Sequence, residues 1–320
     1  MLENIIIDGL AFAVPMFVMA IGGIFSEKSG ITNLAIEGLQ GFGAFMGAFA
    51  AVVLATLLGP TSSVPFYVSF IIAFLGGMLY ALIHVLLCIR FKANQVISGV
   101  VVNILAMALT SFFTRRLNEI FFGQKSNKFV LGTSVRFTVP LISKIPVIGA
   151  VFKRVYPFEI MIALIAVVMW YVMYRTPYGM HLRACGDNPH AADAAGIDVN
   201  RVRTIAVVLS GGLSAIGGMS FAYSISANFS PSIYLGFGYL AIAALIFGNW
   251  SILPTLFACL LFGFARSAGQ AIIQRLGMPS TYNDLVRILP YVITLLLLIF
   301  FGKNNRSPRA LGEIYDKGKR

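Results

Sequence analysis

A carboxylate stands about seven residues into an apolar run. Glu37, within SEKSGITNLAIEGLQGFGAFMG (Ser26 to Gly47), follows Asn33 and is surrounded by glycines at 38, 41, 43 and 47. A charge at membrane depth costs about 2.5 to 3.5 kcal/mol on insertion scales, so it must face a bundle interior or water and not lipid. Two uses fit Asn33 and Glu37: part of a gate or polar core, or plain packing in which Glu37 pairs with backbone or with Arg90. A second polar set lies in KANQVISGVVVN (Lys92 to Asn103), where Gln95 and Ser98 share a helix face and Asn103 lies deeper. Uncharged donors and acceptors inside a membrane suit a solute rich in hydroxyls and ring nitrogens, such as a nucleoside or a sugar. They serve equally well to bond helix to helix, at about 0.6 kcal/mol per bond. Both uses stand for Asn103, whereas Asn94 and Gln95, at the membrane edge, read as structural. The third set is YSISANFSPSIYLGFG (Tyr223 to Gly238), whose Phe229, Tyr234 and Phe237 could stack on a base or sugar face while Asn228 and Ser230 bond it. The same aromatics fit an interfacial belt. The candidate solute pathway is therefore Asn33, Glu37, Ser98, Asn103, Asn228 and Phe229.

None of these sets does covalent chemistry. Ser, His and Asp occur without a nucleophile elbow, and His84, His181 and His190 stand without ligand spacing. Cys88, Cys185 and Cys259 are an odd number with neither a disulfide framework nor metal spacing. SGGLSAIGGM (Ser210 to Met219) is glycine-rich, but no GxxxxGK[ST] phosphate loop occurs anywhere in the chain. The expectation is a chain that is not an enzyme and binds no metal or cofactor. Any work it does must draw on another polypeptide or on an ion gradient.

The elements that hold these residues are membrane helices. Of the 320 residues, 58% are hydrophobic and 11% charged, and the mean hydropathy is +0.85, outside the range of soluble globular proteins. A net charge of +12 is not a nucleic-acid signature here, because the basic residues sit between apolar runs and in the tail, where they set topology. Apolar runs fall at residues 5–24, 31–58, 65–89, 96–113, 158–174, 202–223, 239–247, 254–271 and 285–301. The expected fold is an all-α polytopic bundle of about nine (8–10) spans. It forms one membrane domain over residues 1–302, with a long loop over 114–157 and a basic tail over 303–320 that lies on an anionic membrane surface. The run 239–247 is too short to span, and either starts near Ile233 or is a half-helix in a broken segment. Small residues at helix-contact spacing (Gly43 and Gly47, Gly211 and Ala215, Ser214 and Gly218) predict close backbone approach. The opening MLENIIIDGL, with Glu3 and Asp8 and no basic residue, does not read as a cleaved signal peptide.

One polar stretch interrupts the apolar pattern: YGMHLRACGDNPHAADAAGIDVNRVR, Tyr178 to Arg203. Asp187 or Asn188 can cap a helix, Pro189 suits its first position and Gly196 the position past its end. The result is a helix of about seven residues, roughly 10 Å long, too short to be stable alone in water. Its alanines at 191, 192, 194 and 195 present a nearly smooth surface that suits insertion into another protein's groove.

The run Gly179, Leu182, Arg183, Ala184, Gly186, Asn188, Pro189, Ala191, Ala192, Gly196, Ile197 resembles the cytoplasmic coupling segment of the permeases of ATP-binding cassette (ABC) importers. It is most similar to the permease family serving simple sugars, nucleosides and branched-chain amino acids. Two further stretches match that family: Asn33 to Gly38 resembles its "N-I-G-x-E-G" entry to the second helix, with Ala35 at the usual glycine, and Ala93 to Gly99 its "A-N-Q-V-I-S-G" segment. The resemblance covers Gly30 to Phe301. The length, the acidic N-terminus and the ending LPYVITLLLLIF look most like the shorter permease of bacterial nucleoside importers. It implies that Gly179, Arg183, Gly186, Asn188, Pro189, Ala191, Ala192 and Gly196 couple the chain to a separate ATPase subunit, which uses ATP and magnesium. It further implies a second, longer permease subunit, an extracellular lipid-anchored or periplasmic substrate-binding protein, the lipid bilayer as surroundings, and no nucleic acid. The expected place is the bacterial cell membrane, with the N-terminus outside and the C-terminus cytoplasmic. A small excess of lysine and arginine on the coupling side agrees, although the basic loop at 114–157 falls on the opposite side. The expected cargo is a nucleoside. Ribose, another simple sugar or a branched-chain amino acid are alternatives within the same architecture, and an ion-coupled secondary transporter is a rival outside it.

Overall fold

The computed structural model describes residues 2–59, 62–132, 136–140, 143, 145, 148–232, 236–277, 279, 282–301 and 306–318. Tyr234 and Ile233, named above, lie outside the described residues. Each of the nine apolar runs falls on a helix. Helix α1 (Leu2–Lys28), α2 (Ile36–Leu58), α3 (Val64–Val85, continued by a π turn over Leu86–Arg90), α4 (Gln95–Phe122) and α5 (Pro157–Arg175) precede the polar stretch. That stretch forms α6 (Pro177–Asp187) and α7 (Pro189–Ala194). Helix α8 (Val199–Phe221), α9 (Phe237–Phe247), α10 (Ile252–Arg275) and α11 (Asn283–Phe301) follow. Among the described residues seven helices are long and apolar enough to cross a membrane: α1 to α5, α8 and α10. Of the nine expected spans, α9 has eleven residues, about 16 Å against roughly 30 Å of hydrocarbon, and is too short to cross alone, as the sequence indicated.

Helices α1 and α8 form the centre. In their most apolar 18-residue windows 67% and 83% of residues are buried, against 22 to 39% for the other spans. Lipid tails offer little hydrophobic drive for helix association, so packing falls to small side chains that let backbones meet. Helix α8 supplies them: its Gly211 lies against the Gly77 carbonyl of α3, its Ala215 against Gly43 of α2, and its Gly218 against the Gln40 carbonyl. The spacing seen in the sequence is therefore real helix contact. Polar side chains in this core pair with one another, as in Asn33 Nδ2 to Ser210 Oγ at 2.8 Å.

Two sequence expectations are corrected. The loop expected from residue 114 begins as helix, since α4 continues to Phe122 and ends at Gly123 (φ 64). The charges of Arg115 and Arg116 close the apolar run there, but the helix simply leaves the apolar layer. Buried Asn118 stitches its last turn by donating to the carbonyls of Thr114, Ser126 and Lys128. Beyond it, Phe129–Val130 (β1) pairs antiparallel with Asn228–Phe229 (β2), a small exception to an all-α chain. The tail, expected on a membrane surface, packs over residues 306–318 onto the end of the bundle: Ala310 N–H donates to the Gly186 carbonyl (2.9 Å) and Gly312 N–H to the Gly30 carbonyl (3.1 Å).

At the far end of α1, Glu3 Oε2 meets Lys153 Nζ at 3.1 Å. Since α1 is about 40 Å long, residues near the two termini lie at opposite ends of the bundle. A side chain at Gly77 would collide with the Gly211 backbone, whereas Gly41 has nothing within 4 Å of where a Cβ would stand. Gly77→Val is therefore expected to lose about 1–3 kcal/mol or more and to lower the melting temperature in detergent, while Gly41→Ala leaves it unchanged.

Candidate functional site

Helix α9 starts inside the bundle, after Gly236 in the left-handed region (φ 99). The first N–H groups of any helix lack intrahelical partners and carry the positive end of its dipole. In an apolar layer no water can satisfy them. Glu37 does so from another helix: Oε1 accepts from Gly236 N–H at 2.7 Å and Oε2 from Gly238 N–H at 2.6 Å. Of the uses open to Glu37 in the sequence, pairing with backbone is the one seen, and Arg90 is not its partner. The other end of α9 is held similarly. Trp250, just past the helix, donates its indole N–H to Glu27 Oε2 at 2.5 Å, with Glu27 and Trp250 both buried.

Asn103 is brought to the same place. Its Oδ1 accepts from Gly38 N–H (2.7 Å), and its Nδ2 donates to the Leu34 carbonyl (2.8 Å) and to the Tyr239 hydroxyl (3.0 Å). It ties α4 to the entry of α2 and to the first turn of α9. Glu37, Asn103, Tyr239, Thr110 and Gly236 line one cavity of about 360 Å³. The other four candidate pathway residues do not line it. Asn33 bonds Ser210, and Ser98 Oγ is 2.8 Å from His84 Nδ1, whose Nε2 reaches the Thr32 carbonyl. Phe229 is fully buried, its ring 5.9 Å from Phe45 and 6.3 Å from Phe129, and Asn228 donates to the Ser226 carbonyl (2.9 Å). Tyr239, Thr110 and Glu27 belong with the site and were not singled out in the sequence. The double glycine around Phe237 was the signal that a helix could start there.

The polar stretch resolves into a base and a face. Thr176 caps α6 by accepting from Gly179 N–H (3.3 Å). Gly179 lies against the Val172 and Met173 carbonyls and Gly186 against that of Lys28, with no room for a side chain at either. Leu182 and Cys185 are buried beneath, and burial pushes the Cys185 thiol up to about 11. Arg183 is half-buried, its guanidinium 5.8 Å from the Tyr174 ring centroid. Asn188 caps α7, its Oδ1 accepting from Ala191 N–H at 3.0 Å, as the sequence suggested, and Gly196 has φ 84. Pro189 and Ala192 face the bundle, whereas Asn188, Ala191, Ala194, Ala195 and Gly196 are exposed. The helix is therefore anchored on one side and presents small residues on the other.

Among the described residues, seven spanning helices, a half-length helix that starts beside an internal cavity and an exposed short helix at one end are the features of a multi-pass membrane protein. Residues 5–300 match the family described as branched-chain amino acid transport system / permease component, and the chain belongs to that family. It is 34% identical over 315 residues to the guanosine ABC transporter permease protein NupQ of Bacillus subtilis, covering 97% of this chain and 96% of that one. It is likewise 34% identical over 320 residues to the nucleoside ABC transporter permease protein NupC of Lactococcus lactis, covering 99% and 98%. At 24% identity over 310 residues it also matches the guanosine ABC transporter permease protein NupP of Bacillus subtilis, covering 95% of this chain and 82% of that one.

Removing the Glu37 carboxylate would orphan two N–H groups, at about 1–3 kcal/mol each. Glu37→Ala should lower the unfolding temperature of the purified chain clearly, and Glu37→Gln, which keeps one acceptor, should lower it less. Thermal unfolding in detergent checks this, and an unchanged Glu37→Ala would mean that the cap does not support the fold.

Proposed function

We propose that this chain is the membrane-spanning permease subunit of an ABC importer for nucleosides. Full-length similarity to two nucleoside importer permeases supports the cargo. The observation that carries the mechanism is the exposed small-residue face of α7, Ala191, Ala194 and Ala195, on a helix otherwise fastened to the bundle. A separate ATPase subunit, which holds ATP and magnesium, grips that face. Its closure displaces α6 and α7, and the displacement switches the pathway beside Glu37, Asn103 and Tyr239 from outward to inward opening. The permease itself performs no covalent step. The uncharged amide and hydroxyl groups at the cavity suit a neutral solute with hydroxyls and ring nitrogens, held weakly, with selectivity supplied by an external binding protein.

The assembly would pair this chain with a second, longer permease. Bacillus subtilis carries two guanosine importer permeases, NupQ and NupP, both similar to this chain, which fits two permease types in one transporter. The orientation that follows puts α7 and residues 306–318 in the cytoplasm and the N-terminus outside.

The test is copurification with a candidate ATPase subunit, followed by ATP hydrolysis in lipid nanodiscs with the binding protein present. Guanosine should stimulate hydrolysis and compete for uptake, whereas ribose and leucine should not. Transport without any ATPase would instead establish an ion-coupled carrier. Ala191→Arg should leave the chain folded and lower ATPase association at least about tenfold, about the 1.4 kcal/mol that one misplaced side chain can cost. Cys88, Cys185 and Cys259 are buried, so a cysteine placed at Ala191 can be labelled selectively with a membrane-impermeant maleimide. Labelling of inside-out vesicles and not of intact cells is the expected result, and the reverse would overturn the orientation.

A further inference from the structure

The C-terminal residues 306–318 do more than end the chain. They cross the same end of the bundle as α6 and α7 and hydrogen-bond to five separate segments there. Arg306 N–H donates to Asn249 Oδ1 (2.8 Å), beyond α9. Ala310 is bonded to Gly186 of α6, and Gly312, with φ 83, to Gly30 between α1 and α2. The Glu313 carbonyl accepts from Arg203 Nη1 (3.3 Å) and from Gln95 Nε2 (3.4 Å). On α7, Lys317 Nζ lies 3.6 Å from Asp193 Oδ1, and the Tyr315 ring, 7% exposed, packs on His190.

Arg203 strengthens this attachment. Its side chain, at 2% exposure, is among the largest fully buried ones, and its Nε donates to the Ser29 carbonyl at 3.0 Å. A buried guanidinium deprived of a bonding partner is costly, because the charge cannot recover water. The Glu313 carbonyl is such a partner, so the tail is bound where release is expensive. Gln95 then makes the link continuous: its Oε1 accepts from Thr32 N–H at 2.7 Å while its Nε2 reaches the tail. Asn103 lies two turns further along α4, and Glu37 lies five residues past Thr32.

We propose that residues 306–318 are a positioning strap that fastens the coupling helices α6 and α7 to the turn at residues 29–32 and to the start of α4, so that a push on α7 reaches the Glu37 and Asn103 pair at the head of α9. The proposal rests on the reading of α7 as the part an ATPase moves. Its strength is that contacts run without a gap from the exposed helix to the cavity, through an element that can be deleted. Physical contact alone is not coupling, so uptake per ATP is the quantity that decides.

The complete transporter, with ATPase, sister permease and binding protein, tests this. Ending the chain at Pro308 should leave ATPase subunits bound and hydrolysing ATP, while nucleoside uptake per ATP falls by about tenfold, within the usual range of coupling losses. An unchanged ratio would overturn the strap, and so would loss of ATPase binding, which would make the tail a docking surface. Should the shortened chain fail to insert, a second variant decides. Lys92 Nζ and Asp316 Oδ1 form an ion pair at 2.8 Å. Lys92→Cys with Asp316→Cys, bridged by a short bis-maleimide, should keep uptake within about twofold of the unbridged sample, since a strap stays fastened through the cycle. Uptake abolished by the bridge would show that the tail must let go. A wild-type complex that neither binds an ATPase nor transports would sink the underlying function instead, and is separable from either result.

Discussion

A helix that begins inside an apolar layer must find acceptors for its first N–H groups, and the bundle is arranged around that need. In α9 the acceptors are the two oxygens of Glu37, on a helix that starts 201 residues earlier than Phe237 in the chain. Composition alone would count Glu37 and Glu27 as liabilities at membrane depth. In the fold they are fixtures, one at each end of an eleven-residue helix. The constraint also explains the cavity. Non-helical backbone at this depth is tolerated only where protein or a cavity surrounds it, and Gly236, which lines the cavity, is such a place. Asn103 completes the arrangement, its amide holding the start of α2 and the first turn of α9 together.

Around this joint the other helices form a close-packed frame. The glycines and serines of α8 bring it against α1, α2 and α3 at backbone distance, and within the frame Asn33 pairs with Ser210 and Ser69 with Tyr223. A close-packed frame deforms little, so displacement imposed at one end is carried and not absorbed. The soft places are those with few such contacts: the exposed face of α7 and the cavity beside Tyr239. On the proposed coupling, work done on one would reach the other through that stiff frame.

Legibility in the sequence followed the range of the interaction. Helix existence was readable from apolar runs, and the α7 cap from Asn188, Pro189 and Gly196, because those rules act within a few residues. The partner of Glu37 was not readable, since nothing local indicates which distant backbone will present unbonded N–H groups. Phe229 looked like a solute contact because an aromatic in a polar loop is ambiguous. Only pairing with Phe129, a hundred residues away, puts it in the core. The tail was misjudged for a related reason. Its basic composition pointed to a membrane surface, but the bonds that fix it run through the backbone atoms of Ala310, Gly312 and Glu313, which leave no trace in side-chain chemistry.

The buried guanidinium of Arg203 shows how one end of such a bundle can be both rigid and movable. An ion pair in its place would fix it to one partner, at a desolvation cost that attraction need not repay. Carbonyls from two segments, Ser29 and Glu313, divide the task instead. Each is a dipole on a backbone that is itself bonded to a neighbour, Ser29 to Ser26 and the tail to Gly30 and Gly186. The charge therefore binds separate chain segments into one body without belonging to any single one. On the proposed coupling, a force on α7 would meet that body as a whole and yield first at the joint where α9 starts on a carboxylate, at Glu37.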